Sequence, residues 1–531
     1  MKPPDSVAQG TFHAAYQMCL ALARKNRYSA FHVYQERRSG AAQAELMLPS
    51  SPPTVAFEKP MLRMSSERYS AIYVANGEQM TSAPHVLRPE RDWAPVICSI
   101  GTAHSNSQWM NLLLSLVSGQ VRSTDGFIFK SQAAARLFRR VWDDWSARFN
   151  VAPFPDQTIV IPNGVDVTKN RRSDALRTQM RRQLRVADED ILFLSFSRLS
   201  QGTKGDQQAL VARWKDVLTR VPRAVLLLSG AVVERPFLAE LRLLARSADV
   251  AHRVLVLDNP FEIAGDARNQ LMSAADVFLH LSTGIEETSS LVVHEAMAHG
   301  LPVIAAAWAG MPEVVSHGET GFLIETRHSP VAPLLSETLY GLSDTTHAIA
   351  ASRLVSLDWA GFVAAVDALA HADRRQAMGN AARRSAESGN ISEIADRYIN
   401  FFEATSREAQ RVLEIPTACK PLVDLNDVVS SMAGRALDPK EGVRLGNRGR
   451  AELLTAGLLV EAGARVASVL AVLENRPQAS LTELAHVLAQ TTPGDRATGL
   501  SVDQDEVSHR ELEDNGRLLI RMLNFGVLEL V

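Results

Sequence analysis

Residues Leu271–Ile324 read LMSAADVFLHLSTGIEETSSLVVHEAMAHGLPVIAAAWAGMPEVVSHGETGFLI, and this stretch determines the fold class. It predicts a strand ending near Leu281, a helix beginning near Ser289–Ser290 and running through Ala298, and then a second strand. Gly300 directly after the helix, with a proline two residues later, is a typical helix stop signal. Strand, helix and strand in this order are the repeating unit of a parallel α/β sheet.

The same alternation extends from about residue 10 to about residue 405, which predicts parallel α/β architecture along most of the chain. Strands predicted in the first part are Ala30–Tyr34, Tyr69–Ala75, Pro95–Ile100, Gly126–Phe129 and Thr158–Pro162. Helices predicted between them are Ala14–Lys25, Trp109–Gly119 and Ala133–Phe149. Strands predicted in the second part are Ile191–Ser197, Ala224–Ser229, Arg253–Asp258, Val277–Leu281, Pro302–Ala306 and Thr320–Ile324.

Two of the predicted helices carry patterns that indicate which face is buried. In Ala133–Phe149, the residues Leu137, Val141 and Trp145 follow the spacing of one helix face, which predicts that this face is buried. The segment Lys169–Val186 is rich in arginine but has no interleaved aromatic residues. That pattern favours a solvated helix over a surface that binds nucleic acid.

Composition narrows the function classes. The chain has 531 residues, 46% of them hydrophobic, and a net charge of -3, so no global charge favours nucleic acid or an anionic membrane. The three cysteines, Cys19, Cys98 and Cys419, are widely separated, which favours buried free thiols in a reducing compartment. The start MKPPDSVAQG has no apolar core of a signal peptide, and no apolar run reaches the length of a membrane span. We therefore expect a cytoplasmic protein.

Two carboxylates flank the predicted helix start. In open α/β sheets, ligands bind beyond the carboxyl ends of strands, and a helix beginning there offers N–H groups to an anion. The amides of Ser290, Leu291 and Val292 would serve that purpose. Glu287 and Glu295 are hydrogen-bond acceptors, suited to hydroxyls of a sugar or ribose. The alternative is an exposed loop acid and a surface acid on a helix.

A second polar cluster, Ser197–Gly205 (SRLSQGTKG), directly follows the strand that begins at Ile191. Its glycines permit close approach of the backbone to a ligand. Arg198 and Lys204 suit a diphosphate group. The alternative is a surface turn with two solvated cations.

Three motifs together resemble the family 4 retaining glycosyltransferases, which have the GT-B fold of two Rossmann-like domains facing a cleft. They are IVIPNGVD (Ile159–Asp166), SRLSQGTKGD (Ser197–Asp206) and the stretch Glu287–Pro302, followed by AGMPEVVSHGETGFLI. The resemblance covers roughly residues 95 to 405. The segment Ile391–Ala404 resembles the helix that crosses back to the first domain in this fold.

The resemblance implies roles for individual residues. Arg198 and Lys204 would hold the donor diphosphate, and the amides of Ser290 and Leu291 would meet its distal phosphate. Glu295 would bind the ribose of the nucleotide. The nucleotide sugar is then a substrate, and no further cofactor is expected.

The resemblance places the transferred sugar between Glu287 and His104, the histidine of IGTAHS. It implies front-face attack on the sugar without a metal ion, with the leaving phosphate accepting the proton of the acceptor. Ser289 and Ser290 stand where the family commonly has an aromatic residue and a glycine or proline. The glycine-rich loop near the family's amino terminus is reduced here to Gln9-Gly10-Thr11.

We therefore predict a three-part chain: a first Rossmann-like acceptor domain (1–166), a second donor domain (167–405) and a mainly helical extension (406–531). A capping box, Ser480-Leu-Thr-Glu483, begins a helix in the extension, and a longer helix and a short terminal strand are consistent with a winged-helix-like module. From Ser480 to Val531 there are nine acidic residues and four arginines, which opposes binding to nucleic acid. The extension is interpreted as a module that docks a protein or binds a peptide acceptor, or as a helical buttress.

The predicted function is transfer of a sugar from a UDP- or GDP-sugar to an acceptor, in bacterial glycan biosynthesis. The acceptor stays open among a glycan, a lipid-linked glycan with peripheral membrane contact, a protein and a small molecule. Two alternatives are a sugar-nucleotide epimerase on the same fold and a degenerate GT-B protein that binds a glycan or a partner.

Overall fold

A computed structural model describes residues 94–101, 121–150, 153–201, 204–232, 235–258, 267–284, 287–329 and 351–412, together with short pieces elsewhere in the chain. The chain divides into two compact units, Met1–Leu422 and Val423–Val531. The first unit contains a four-stranded and a six-stranded parallel sheet. The predicted domain limits at 166 and 405 stay a prediction.

The first sheet has four parallel strands that pair in chain order. They are β3 (Ile72–Val74), β4 (Val96–Ile100), β5 (Gly126–Phe129) and β6 (Thr158–Val160). The earlier strands β1 (His32–Val33) and β2 (Ala56–Phe57) pair separately, also in parallel. All five strands predicted in this part are present; only β2 was not predicted. Strands β4 and β5 are buried at every residue, which explains their continuous apolar runs.

The second sheet has six strands, all paired in parallel. They are β7 (Ile191–Phe196), β8 (Ala224–Gly230), β9 (Val254–Asp258), β10 (Val277–His280), β11 (Val303–Ala306) and β12 (Gly321–Ile324). The order across the sheet is β12-β11-β10-β7-β8-β9, so the direction of winding reverses between β7 and β10. This is the strand order of a Rossmann-type dinucleotide-binding sheet. The predicted α/β class is confirmed.

Ten helices are described. They are α1 (Gln132–Phe149), α2 (Asp174–Leu184), α3 (Gln207–Arg220), α4 (Arg235–Ser247), α5 (Ala267–Ala274), α6 (Leu291–Ala298), α7 (Met311–Val314), α8 (Trp359–Ala368), α9 (Ala372–Ser388) and α10 (Ile391–Val412). The described residues of the predicted helices Ala14–Lys25 and Trp109–Gly119 are also helical, except Lys25, which lies in a turn. An antiparallel pair, β13 (Thr326–His328) and β14 (Val355–Leu357), follows the second sheet. None of the described helices is both long and apolar enough to span a membrane.

The buried face of α1 differs from the predicted one. Leu137 is 43% exposed, and Val141 and Trp145 are only half-buried. The residues that α1 buries are Ala134, Phe138 and Trp142. Both rows have helical spacing, so periodicity alone cannot choose between them. The row that includes Phe138 and Trp142 contacts the aromatic side chains of the first sheet, and this packing determines the orientation.

The arginine-rich segment is not a solvated helix, since one side of α2 is buried. Arg181 is 1% exposed, and both Arg177 and Arg181 pair with Asp276, at 2.8 and 3.0 Å. Asp276 immediately precedes β10 and also accepts from the amide of Leu192 at 2.8 Å. The ion pairs of Arg177 and Arg181 with Asp276 therefore attach α2 to the second sheet.

The last helix of the first unit, α10, packs on the first sheet although it follows the second one in the chain. Phe402 and Tyr398 contact the ring of Tyr73 of β3, and Lys130 beyond β5 donates to the hydroxyl of Tyr398. The hydroxyl of Ser406 donates to the carbonyl of Ser70 at 2.9 Å. The predicted return of this segment to the first domain is confirmed, and the two sheets with a returning helix match the GT-B arrangement.

The second unit contains a three-stranded antiparallel sheet in the order β16-β15-β17. Its strands are β15 (Gly442–Leu445), β16 (Ala479–Ser480) and β17 (Leu528–Leu530). Of these three strands, only the terminal one was predicted. The capping box is confirmed: Ser480 N donates to Glu483 Oε2 at 2.8 Å, and Glu483 N donates to Ser480 Oγ at 3.2 Å. The predicted longer helix lies outside the described residues.

Candidate active site at the switch point of the second sheet

The candidate site lies where the strand order of the second sheet reverses. At such a point, the loops that leave two neighbouring strands diverge to opposite faces and leave a crevice beyond the carboxyl ends. Here the two strands are β7 and β10. The loop after β7 carries Arg198 and Lys204, and the loop after β10 carries Glu287. The topology therefore brings together the two polar clusters that the sequence indicated.

The loop after β7 is held close to the end of β10. Gly205 has φ +90°, and a Cβ atom there would lie 2.6 Å from the carbonyl oxygen of Leu281, so only glycine fits this approach. Gln207, buried at the start of α3, donates to Ser197 Oγ and to the carbonyl of Arg198, both at 3.0 Å. The half-buried Arg198 thus begins a loop whose backbone is fixed at both ends.

Glu287 and Lys204 form an ion pair. Lys204 Nζ lies 2.5 Å from Glu287 Oε1, and His280 Nε2 lies 3.2 Å from Glu287 Oε2. Burial alone would raise the pKa of Glu287, but the charges and hydrogen bonds of Lys204 and His280 outweigh it and hold that pKa well below its usual range. Glu287 is therefore a buried, ionised carboxylate, and the alternative of an exposed loop acid is wrong.

Helix α6 begins beside this ion pair. Ser290 is its N-cap residue, and its side chain makes no capping hydrogen bond, so the first-turn amides, including that of Leu291, are not covered by the cap side chain. Such a helix start attracts anions. Ser289 Oγ lies 3.1 Å from His294 Nε2, and burial lowers the pKa of His294 to about 4. His294 is thus neutral near pH 7.

Glu295 lies inside α6 and is almost completely buried. Its Oε1 atom is 2.7 Å from the guanidinium of Arg268, the second residue of α5. The alternative of a surface acid on a helix is therefore wrong for Glu295 as well. The pair places one carboxylate and one guanidinium at the same end of the sheet as Lys204.

Residues that follow strands of the first sheet reach the same loop. Thr288 Oγ1 donates to the carbonyl of Gly101 at 2.6 Å, directly after β4. The side-chain amide of Asn163, in the motif IVIPNGVD, donates to the carbonyl of Ser289. His104, predicted to reach the sugar, lies outside the described residues. The loop of Glu287 is therefore fixed by contacts from both sheets.

A further contact joins the two sheets beside this loop. Both carboxylate oxygens of Glu313 in α7 accept from backbone amides at the start of α1, from Gln132 N at 2.7 Å and Ala133 N at 2.9 Å. Gly310, just before α7, allows this segment to pack closely against the loop of Glu287. A Cβ atom at Gly310 would lie 1.6 Å from the carbonyl oxygen of Thr288. The start of α1 and the loop of Glu287 are thus packed against one short segment.

Sequence reasoning missed two residues of the site, His280 and Arg268. His280 left a signal, because it is the one polar residue in the strand Val277–His280. Arg268 left none, since no motif surrounds it and its partner Glu295 lies 27 positions away. Arg198, Lys204, Glu287, Ser290, Leu291 and Glu295 all lie at the predicted end of the second sheet.

Residues 190–336 match the family model described as glycosyl transferases group 1. The match begins just before β7 and includes the whole second sheet. Lys204, Glu287 and Glu295 all lie inside it. This segment of the chain is therefore similar to glycosyl transferases group 1.

Two curated relatives and one solved structure are similar to parts of this chain. The GDP-mannose-dependent alpha-(1-6)-phosphatidylinositol monomannoside mannosyltransferase of Mycobacterium tuberculosis (strain CDC 1551 / Oshkosh) is 32% identical over 34% of this chain and 46% of its own length. The D-inositol 3-phosphate glycosyltransferase of Actinosynnema mirum is 36% identical over 32% of this chain and 40% of its own length. The chain thus spans less than half the length of these relatives. The structure of Anabaena Alr3699/HepE with UDP and glucose has 20% identity, a TM-score of 0.46, and covers 63% of this chain and 78% of that one.

Proposed function

We propose that the chain is a retaining glycosyltransferase that moves a sugar from a UDP- or GDP-sugar to an acceptor hydroxyl. The observation that carries the proposal is the pair of Lys204 and Glu287 at the switch point of the second sheet, next to the start of α6. A cation and uncapped helix amides suit a diphosphate, and a fixed, ionised carboxylate suits sugar hydroxyls. The similarity of residues 190–336 to glycosyl transferases group 1 supports the same reaction.

In this proposal, catalysis depends on stabilising the leaving group. Negative charge grows on the departing diphosphate, while positive charge grows at the anomeric carbon. Lys204, Arg198 and the amides of Ser290 and Leu291 would stabilise the diphosphate, and losing one such donor typically costs about 3 kcal/mol in the transition state. The acceptor hydroxyl attacks from the same face, and the leaving phosphate takes its proton.

The carboxylates have different tasks in this mechanism. Glu287 orients the transferred sugar through its hydroxyls and does not attack the anomeric carbon. Glu295, fixed by Arg268, accepts a hydrogen bond from the ribose of the donor. His104 is assigned to the sugar by the resemblance of its motif to the family. Each of these roles requires a polar group in a fixed position. The proposal assigns the role of nucleophile to neither carboxylate.

The donor is tested with a panel of UDP-glucose, GDP-mannose and dTDP-glucose. The purified chain is incubated with each sugar and a mixture of candidate acceptors, and release of nucleoside diphosphate is measured. Proton NMR of the product or hydrolysed sugar gives the anomeric configuration, which we expect to be retained. Release of nucleoside diphosphate without a second sugar product would favour an epimerase or simple hydrolysis.

We expect Lys204→Ala to lower donor turnover about 100-fold, because the ammonium is one of the few charges facing the diphosphate. The matched control is Lys215→Ala, which removes the same charge from the exposed side of α3. Equal turnover in Lys204→Ala and in the parent chain would contradict the assignment. Absence of UDP and GDP binding by calorimetry would instead favour the degenerate module.

A further inference from the structure

His280 is a residue of the site that was not predicted from the sequence and that has no role in the proposed mechanism. It ends β10, where it pairs in register with Ala305 of β11, and all four residues of this strand are buried. The imidazole is 5% exposed, so its nitrogens cannot rely on bulk water. A buried polar side chain in an otherwise apolar strand requires a protein partner.

Glu287 is that partner, and the contact defines the direction of the hydrogen bond. His280 Nε2 and Glu287 Oε2 are 3.2 Å apart. Because the pKa of Glu287 is held well below its usual range, its carboxylate is ionised and can only accept. His280 therefore carries a proton on Nε2 and donates it to Glu287.

The two donors to Glu287 differ in their access to the crevice. Lys204 engages Oε1 from the loop after β7, and its side chain keeps 22% of its surface exposed. His280 engages Oε2 from the strand itself and keeps 5%. An anion entering the crevice would therefore meet Lys204 and not His280. If Lys204 turned to that anion, Glu287 Oε1 would lose the ammonium that contacts it here.

We propose that His280 is a positioning residue that holds the Glu287 carboxylate in place while Lys204 engages the donor diphosphate. The inference rests on the proposed function. His280 itself contacts neither the diphosphate nor the reacting carbon. Its contribution is to prevent the buried carboxylate from following Lys204 out of its sugar-binding orientation.

The test compares His280→Leu, which fills the space without a donor, with His280→Gln, which restores an N–H. Each change is made in the parent chain and in a Glu287→Gln chain, with UDP-glucose and GDP-mannose as donors. We expect His280→Leu to lower kcat/KM about 10- to 100-fold, the range for losing one hydrogen bond to a charged group. His280→Gln should recover most of this loss, and in the Glu287→Gln chain His280→Leu should change turnover less than about twofold, since the two residues act as one unit.

Two further measurements separate positioning from folding. The ring nitrogens of His280, assigned in a long-range 1H–15N spectrum by comparison with His280→Gln, should show the tautomer protonated on Nε2, and Glu287→Gln should shift them. Thr405→Val serves as the control for removing a buried polar group, because the hydroxyl of Thr405 lies in α10 and makes no hydrogen bond. Thermal unfolding of every variant identifies any chain that does not fold.

The outcomes distinguish this inference from the proposed function. Full activity of His280→Leu alongside an inactive Glu287→Gln would overturn the inference and leave the function intact. A loss in His280→Gln equal to that in His280→Leu would also overturn it. If the parent chain does not bind UDP or GDP and does not turn over either donor, the proposed function is wrong. The proposed role of His280 is then wrong as well.

Discussion

At the scale of single residues, the pair of Glu295 and Arg268 combines a buried carboxylate with a partly exposed cation. The side chain of Glu295 is 4% exposed and that of Arg268 26%. A buried carboxylate of this kind is stable only with a charged or hydrogen-bonded partner. Because the guanidinium holds it from one side, the carboxylate has a defined orientation before any ligand binds, and such a preorganised group suits the proposed contact with a ribose.

We expect Glu295→Ala to reduce donor turnover at least about 100-fold and to weaken binding of UDP or GDP, because it removes a charged acceptor and leaves Arg268 without its partner. Turnover and calorimetric binding are compared with those of Glu319→Ala, which removes an exposed acid outside the site. Undiminished activity in Glu295→Ala would contradict the role in nucleotide binding.

The sequence was informative about those site residues whose type and position are both required by the chemistry. Lys204 and Glu287 belong to that class, since each follows a recognisable strand. Their contact with one another was not predicted, because it depends on how two loops 83 residues apart converge. His280 and Arg268 were missed because each acts on another side chain, and such a residue has no spacing rule of its own.

At the scale of secondary structure elements, α2 is attached to the second sheet through charge rather than apolar packing alone. Arg181 donates to Asp276 and to the carbonyls of Ala274 and Asp190, and Arg177 donates to Asp276 and Ala274. Asp276 immediately precedes β10. The position of this strand, and of the loop that follows it, therefore depends on two buried or half-buried arginines.

We expect Arg181→Ala to lower the free energy of unfolding by about 3–5 kcal/mol, the cost of leaving one partner of a buried ion pair alone. The neighbouring Arg182→Ala is the control, since Arg182 is exposed and its removal should change stability by less than about 0.5 kcal/mol. Chemical denaturation of both variants measures the difference. Similar midpoints would show that the charge cluster around Asp276 contributes little.

Strands were more predictable than helix faces, for a physical reason. A strand in a parallel sheet is covered on both sides, so it appears as a short apolar run regardless of its neighbours. Helix α1 has apolar residues on two rows, and only the aromatic side chains beneath it select Phe138 over Leu137. Likewise, the burial of Arg181 requires an aspartate 95 residues away, which no local pattern can reveal.

At the scale of the first unit, contacts between its two sheets converge on one short region. Thr288 reaches Gly101, Asn163 reaches Ser289, and Glu313 binds the amides at the start of α1. These contacts involve a donor or acceptor on each side, so they require a specific relative placement of the sheets. In the proposed mechanism, that placement brings the acceptor to the sugar.

We expect Glu313→Ala to lower turnover about tenfold while leaving UDP binding within twofold. In the proposed mechanism the nucleotide contacts come from the second sheet, and a small misplacement of the first is costly to reaction geometry. Calorimetry with UDP and donor turnover provide the two measurements, with Glu319→Ala as the control. A parallel loss of UDP binding would instead indicate that Glu313 stabilises the second sheet itself.

The strand order of the second sheet has a consequence for how the molecule folds. The strands β7 and β10 are neighbours in space, yet β8, β9 and their helices lie between them in the chain. A growing polypeptide therefore completes the loop of Lys204 long before the strand that will carry its partner exists. Contacts between such distant segments form slowly, since the intervening chain must first be ordered. The contact between Lys204 and Glu287 therefore cannot form until β10 and the loop that follows it have been synthesised.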